Sequence, residues 1–204
     1  MARLKAKWNQ KNRERTPEQI ASAVSFNTWL LAAEGCLNLE NEGFETSTQA
    51  QRLDIISEFL AFSLHLVDRM TYGELEEEER VRFINALGVN LAGLIQSNRV
   101  DASGPGEYRQ AFVELLNTRM DEYSDCSYDK YSGPGFNLKR IFGNHVMTMM
   151  GAKDQKWIPD YVIDVESPKI IKGINRVMDG MGDSLDDANF GMPPIPEGGT
   201  WGDE

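Results

Sequence analysis

The sequence predicts an all-α fold, a bundle of about six helices spanning residues 16–181. Three features carry that expectation. Apolar residues return at spacings of three and four along most of the chain, the period of one helix face. Pro, Ser/Thr and Gly stand at the distances where helices start and stop. Strand-favouring residues gather in a single short stretch, 157–165. A basic arm, residues 1–15, and an acidic Pro/Gly-rich tail, residues 182–204, flank the helical domain.

The first helix opens on Thr16-Pro17-Glu18-Gln19, which reads as N-cap, N1 proline and the glutamine of a capping box. Ile20, Ala23, Phe26, Leu30 and Ala33 then mark its apolar face, Gly35 is the expected stop, and residues 35–46 read as a connection. The second helix, about 48–72, carries two stripes side by side: Ile55, Phe59, Phe62 and Leu66, then Ile56, Leu60, Leu64 and Val67. So wide an apolar arc predicts a central helix touched by several neighbours. Gly73 suits its C-cap.

Five glutamates between Glu74 and Glu79 then complement the positive end of a third helix, about 74–98, whose apolar face is Val81, Ile84, Leu87, Leu91 and Ile95. A turn of one or two residues would make helices two and three an antiparallel hairpin. Gly88, Ala92 and Gly93 leave room for a close neighbour, either within the chain or in a homodimer. Ser103-Gly104-Pro105-Gly106 recurs as Ser132-Gly133-Pro134-Gly135, but the residues that follow differ, so these are two pre-helix turns and no duplication. Helices four (about 107–123) and five (about 138–150) follow them. The stretch 157–165 is expected to be a short strand or extended loop, and Ser167-Pro168 to begin the last helix, with Ile170, Ile174, Val177 and Met181 on one face.

Composition narrows the function classes. The 204 residues are 41% hydrophobic, enough for one core, and carry a net charge of −11. Residues 1–15 hold Arg3, Lys5, Lys7, Lys11, Arg13 and Arg15 against Glu14, so the remaining 189 residues carry −16. Such a body repels phosphate backbones and disfavours nucleic-acid binding, except through the arm. The arm reads as a solvated terminus, as a contact for an acidic partner, or as a segment pinned on the body by Leu4 and Trp8. Cys36 and Cys126 form no C-x-x-C pair, so reduced thiols are expected. The longest apolar-leaning stretch, 84–95, is interrupted by Asn85 and Asn90 and falls short of the roughly 20 residues that span a bilayer. No secretory signal pattern is present, and a cytoplasmic location without membrane attachment follows as the expectation.

Motifs of catalysis fail in turn. There is no Gly-x-x-x-x-Gly-Lys loop, no Gly-x-Gly-x-x-Gly and no Gly-x-Ser-x-Gly. A di-iron helical site needs Glu three residues before His, yet Phe62 precedes His65 and Phe142 precedes His145 at that spacing. The loop after Asp187 has Gly191 and Gly198 where an EF-hand needs oxygen ligands. No catalytic residue, metal or cofactor is therefore assigned.

Looser constellations remain. Asp54, Glu58, His65 and Asp68 share a face of helix two, which reads as a solvated polar stripe or, through Glu58, His65 and Asp68, as a divalent-metal or acid–base group. His145 stands within the apolar stripe of helix five, so its ring is expected to be buried or to line a cavity, with Tyr108 and Tyr123 as companions in a ligand pocket. Asp121, Asp125 and Asp129, interleaved with Tyr123, Tyr128 and Tyr131, read as an acidic aromatic surface or as a frayed helix end. From Asp179 onward come seven acidic residues, no basic ones and three prolines, yet also Phe190, Met192, Ile195 and Trp201. Apolar anchors in such a tail suit an interaction element. The expected function is a non-catalytic protein–protein interaction or assembly role, with Leu4, Trp8, Phe190 and Trp201 as contacts for an unidentified protein partner. The alternative is a small-molecule-binding or enzymatic domain with its pocket near His145.

Overall fold

A computed structural model describes residues 16–151 and 156–180. Arm residues 1–15 with Leu4 and Trp8, and the tail with Phe190 and Trp201, lie outside the described residues. Helices α1 (Pro17–Asn41), α2 (Gln49–Thr71), α3 (Glu77–Ser103), α4 (Arg109–Ser124) and α5 (Phe136–Met149) come first. A helical rod then ends the described chain: α6 (Ile158–Tyr161), a π-helical turn (Val162–Glu166) and α7 (Ser167–Gly180). Two-residue strands, Tyr128–Asp129 and Gly133–Pro134, pair antiparallel between α4 and α5. The fold is the all-α bundle that the apolar spacing predicts.

Caps form where side-chain chemistry asks for them. Gln19 N donates to Thr16 Oγ1 at 3.4 Å while Thr16 N donates to Gln19 Oε1 at 3.3 Å, the reciprocal box at the start of α1. Thr48 Oγ1 accepts from Gln51 N at 3.1 Å at the start of α2. Glu77, Glu78 and Glu79 occupy the first turn of α3.

Helix α2 is the axis, packed against α1, α3, α4, α5 and α7. Phe59, Phe62 and Leu66 on one stripe and Leu60 and Val67 on the other are all buried. Phe62 stacks on Phe142 of α5 at 4.2 Å between centroids, and Phe59 meets the same ring edge-on at 5.0 Å. Helices α2 and α3 form the antiparallel hairpin: Arg80 binds Asp68 near the turn and Arg99 binds Asp54 at the far end. The small face of α3 is used within the chain, with Ala92 buried and Gly88 against Leu116 of α4.

Four details differ from expectation. Gly35 does not stop α1, which continues to Asn41; a Cβ there would lie 2.3 Å from Phe59 Cε1, so this glycine lets α1 and α2 approach. The stop is Gly43, with φ of +89°. The α2–α3 connection has five residues, 72–76, because α3 begins at Glu77. The stretch 157–165 is helical instead of extended, and Pro168 lies inside the rod. Proline lacks an N–H and crowds the carbonyl four residues back; the preceding π turn, where Ser167 N donates to Val162 O, widens the helix there.

Most consequential is the rotation of α1. Its buried face is Ala21, Val24, Thr28, Ala32, Gly35, Cys36 and Leu39, with Ile20 at the margin. The larger residues of the expected stripe point away from the core: Phe26 is 51% exposed, and Leu30 and Ala33 are only partly covered. Small side chains face inward because they permit close helix–helix approach, and the bulkier apolar ones are left outside. With both sides apolar, α1, and not the stretch 84–95, is long and apolar enough to cross a membrane by length and composition. In the bundle, 44% of its most apolar window is buried.

Candidate functional site

The residues singled out in sequence fall into three places. Tyr108 locks the α3–α4 corner: its hydroxyl donates to Gly104 O at 3.1 Å and its backbone N to Gln96 Oε1 at 2.7 Å. Tyr123 points into the core, 0% exposed, with its ring 6.2 Å from Phe62 and 5.4 Å from His65. His145 is partly buried, its side chain 21% exposed, and lines a hollow, the second of the two expected placements; the apolar face of α5 turns Phe142 and Val146 inward and leaves residue 145 at the edge. The three do not form one pocket.

His145 also ends a line of hydrogen-bonded polar side chains. Glu58, fully buried on α2, accepts two hydrogen bonds from Arg119 of α4, from Nε and Nη2, each at 2.8 Å. Arg119 Nη1 reaches Glu122 Oε2 at 3.4 Å, and His145 Nε2 donates to that same oxygen at 2.6 Å. The line runs from core to surface, and its buried carboxylate, Glu58, is matched by the Arg119 guanidinium, as a buried ion requires. The surface hollow at its end, about 570 Å³, is lined by Glu122, Asp125, Cys126, Asn137, Arg140, Ile141, Asn144 and His145. Burial, helped by the Asp125 charge, pushes the Cys126 thiol up, which disfavours its thiolate, and Sγ donates to Glu122 O at 3.8 Å.

The polar stripe of α2 is not solvated. Glu58 and His65 are buried, and the ends of the stripe bind Arg99 through Asp54 and Arg80 through Asp68. Burial pulls His65 down to about 4, with Arg69 adding to the effect, so the ring is neutral near pH 7. Neither of its nitrogens, nor the Tyr123 hydroxyl beside it, has a hydrogen-bond partner among the described residues. Glu58, His65 and Asp68 turn to different neighbours, and among the described residues no three His, Cys, Asp or Glu side chains gather as a metal ion would need. Asp121, Asp125 and Asp129 do not align either, because α4 ends at Ser124 and Asp129 folds back to accept from the Tyr131 and Ser132 backbone N–H groups.

The feature that sequence reasoning missed is the outer side of α1. Phe26, Leu30 and Leu37 lie on its outer side, with Phe26 and Leu37 about half exposed, while Ala33 between them packs against the core. A hollow of about 210 Å³ lies between α1 and α7, walled by Leu31 and Glu34 on one side and Lys172, Gly173 and Arg176 on the other; on α1, Glu34 stands between it and the stripe. A Cβ on Gly173 would lie 2.6 Å from Leu31 Cδ2, so this glycine brings the helices together. At one end Glu166, fully buried, accepts from Asn38 Nδ2 at 3.2 Å, Tyr161 Oη at 3.2 Å and Lys169 Nζ at 2.8 Å. Lys172 and Arg176, four apart on the exposed side of α7, join no ion pair among the described residues. The small residues Ala21, Ser25, Ala32 and Gly35 were the sequence signal for this rotation, since they too fall on one helical face.

Comparison of the chain with protein-family models, with curated proteins and with solved structures finds no match in any of the three.

Proposed function

We propose that this protein is a non-catalytic interaction protein whose docking surface is the outer side of α1 together with the basic edge of α7, and whose partner is an acidic protein segment carrying apolar anchors. One observation supports the reading: Phe26, Leu30 and Leu37 stand at the outer side of α1, away from a core that is already filled, and the hollow between α1 and α7 is edged by two exposed cations on a body with net negative charge. An acidic segment gains contact with Lys172 and Arg176 where the rest of this surface would repel it. The runner-up, a small-molecule site at His145, has less support, because that hollow lacks an activated nucleophile and its companions Tyr108 and Tyr123 are used elsewhere.

The test is selection from a display library of 12-residue peptides on the full chain and on Phe26→Ser/Leu37→Ser. The wild type should enrich sequences rich in Asp and Glu with Phe, Trp, Leu or Ile, and both this variant and Lys172→Glu/Arg176→Glu should lose them. His145→Ala should keep them. Identical selections from wild type and variants, or loss with His145→Ala alone, would overturn the reading. So would co-sedimentation with phosphatidylcholine/phosphatidylserine vesicles that depends on Phe26 and Leu37, which would assign the face to a bilayer.

A further inference from the structure

We infer that the chain's own tail, residues 181–204, docks on the outer face of α1 and competes there with an external acidic segment; this rests on the docking reading above. The juxtaposition that supports it is where the described chain leaves the bundle. The contact of Asn38 with Glu166 and the closeness of Leu31 to Gly173 show that α7 runs antiparallel to α1, seven residues of one against seven of the other. A further seven takes Gly173 to Gly180 and Leu31 to Val24. The chain therefore leaves α7 within two residues of the level of Phe26, at one end of the exposed stripe.

Reach is ample. Phe26 and Leu37 are eleven residues apart on a helix, about 16 Å at 1.5 Å per residue. Phe190 lies ten residues beyond Gly180, which extended chain covers with about 33 Å. Residues 181–204 can therefore run back along α1 over its whole exposed length.

The chemistry matches as well. Residues 181–204 carry Asp183, Asp186, Asp187, Glu197, Asp203 and Glu204 with no basic residue, among which stand Phe190, Met192, Ile195 and Trp201. Residues 16–180 carry a net −10, so an acidic segment is repelled by most of this surface. Lys172 and Arg176, on the edge nearest the exit point, offset that repulsion despite Glu34 across the hollow. A second copy of the chain is the weaker occupant, since three apolar side chains fall far short of the roughly 20–30 residues per side of a stable interface. The basic arm complements the acidic remainder of the body, but at this edge it meets like charge in Lys172 and Arg176.

Crosslinking tests the proposal on the full chain. Benzoylphenylalanine at position 190 should crosslink within the monomer to peptides containing residues 26–37 or 172–176, and Lys172→Glu/Arg176→Glu should reduce the yield several-fold. Crosslinks only between chains, or only to other helices, would overturn it. The binding arm uses an acidic peptide selected as described above. Phe190→Ser/Trp201→Ser in the full chain should tighten its binding about tenfold, as expected when a weak segment tethered at roughly millimolar effective concentration is released. Equal affinity for the variant and the wild type would sink tail competition while leaving the docking surface standing. No binding to either would sink the docking surface itself.

Discussion

Helix α2 hides polar groups, whereas helix α1 displays apolar ones, and the two inversions have one cause. A helix with neighbours on every side buries whatever it carries. Packed against α1, α3, α4, α5 and α7, α2 takes Glu58 and His65 out of water along with its leucines and phenylalanines. Helix α1 stands at the edge and spends only its small-residue side on the core, so Phe26 and Leu37 stay outside. Burial here follows from how many partners a helix has, and polarity along the sequence does not fix that number.

The sharpest way to break the α2 half of this comparison is to orphan its charge. Glu58 is fully buried and its two carboxylate oxygens bind one guanidinium. Arg119→Leu would leave that carboxylate desolvated and unpaired, at a cost of about 3–5 kcal/mol in urea unfolding. Removing both charges, Glu58→Leu/Arg119→Leu, should recover most of the loss, since a buried pair adds little over well-packed apolar groups. A single variant as stable as the wild type would mean that Glu58 is reached by water and α2 is less enclosed than its burial implies.

The next effect is pH-dependent. His65 binds its proton at about 4 in the folded protein against 6.5 for the free side chain, so between those values the unfolded chain holds more protons than the native one. Stability contributed through His65 is constant above about pH 6.5 and falls as the pH drops toward 4. The 2.5-unit difference corresponds to at most about 3 kcal/mol, at 1.36 kcal/mol per unit. Carboxylates titrate in the same window, so the readout is the difference between wild type and His65→Leu. The variant's stability should fall less from pH 7 to pH 4. Parallel curves for the two proteins would contradict a buried, neutral His65.

Much of this architecture was legible in the sequence. The Thr16 capping box, the wide apolar arc of α2 and the Gly-Pro punctuation before α4 and α5 each rest on local chemistry that the chain states within a few residues. The pairings were not legible: Glu58 and Arg119 are 61 positions apart, and nothing near either names the other. The same holds for His145, whose place at the rim depends on which residues of α5 turn toward Phe62. Helix α1 misled through residue size, because large apolar side chains advertise a core face more loudly than Ala21, Ala32 and Gly35 do. Ser167-Pro168 does open α7, as it reads, but the π turn before it joins α7 to the helical stretch 158–161, which nothing in the local sequence announces.

The smallest effect tests the α1 half. Phe26→Ser and Leu37→Ser each remove a side chain about half exposed, and serine matches phenylalanine in helix propensity, so each should change unfolding stability by no more than about 0.5 kcal/mol. On the opposite side of the same helix, Val24 is 0% exposed, and Val24→Ala removes two buried methyl groups, about 2 kcal/mol with the cavity included. The contrast between two neighbouring residues matters more than either value. If Phe26→Ser proved as damaging as Val24→Ala, the outer stripe would be holding the fold together and could not be reserved for docking. If it were silent in stability yet abolished peptide selection, the apolar side chains outside the bundle would have their explanation in binding.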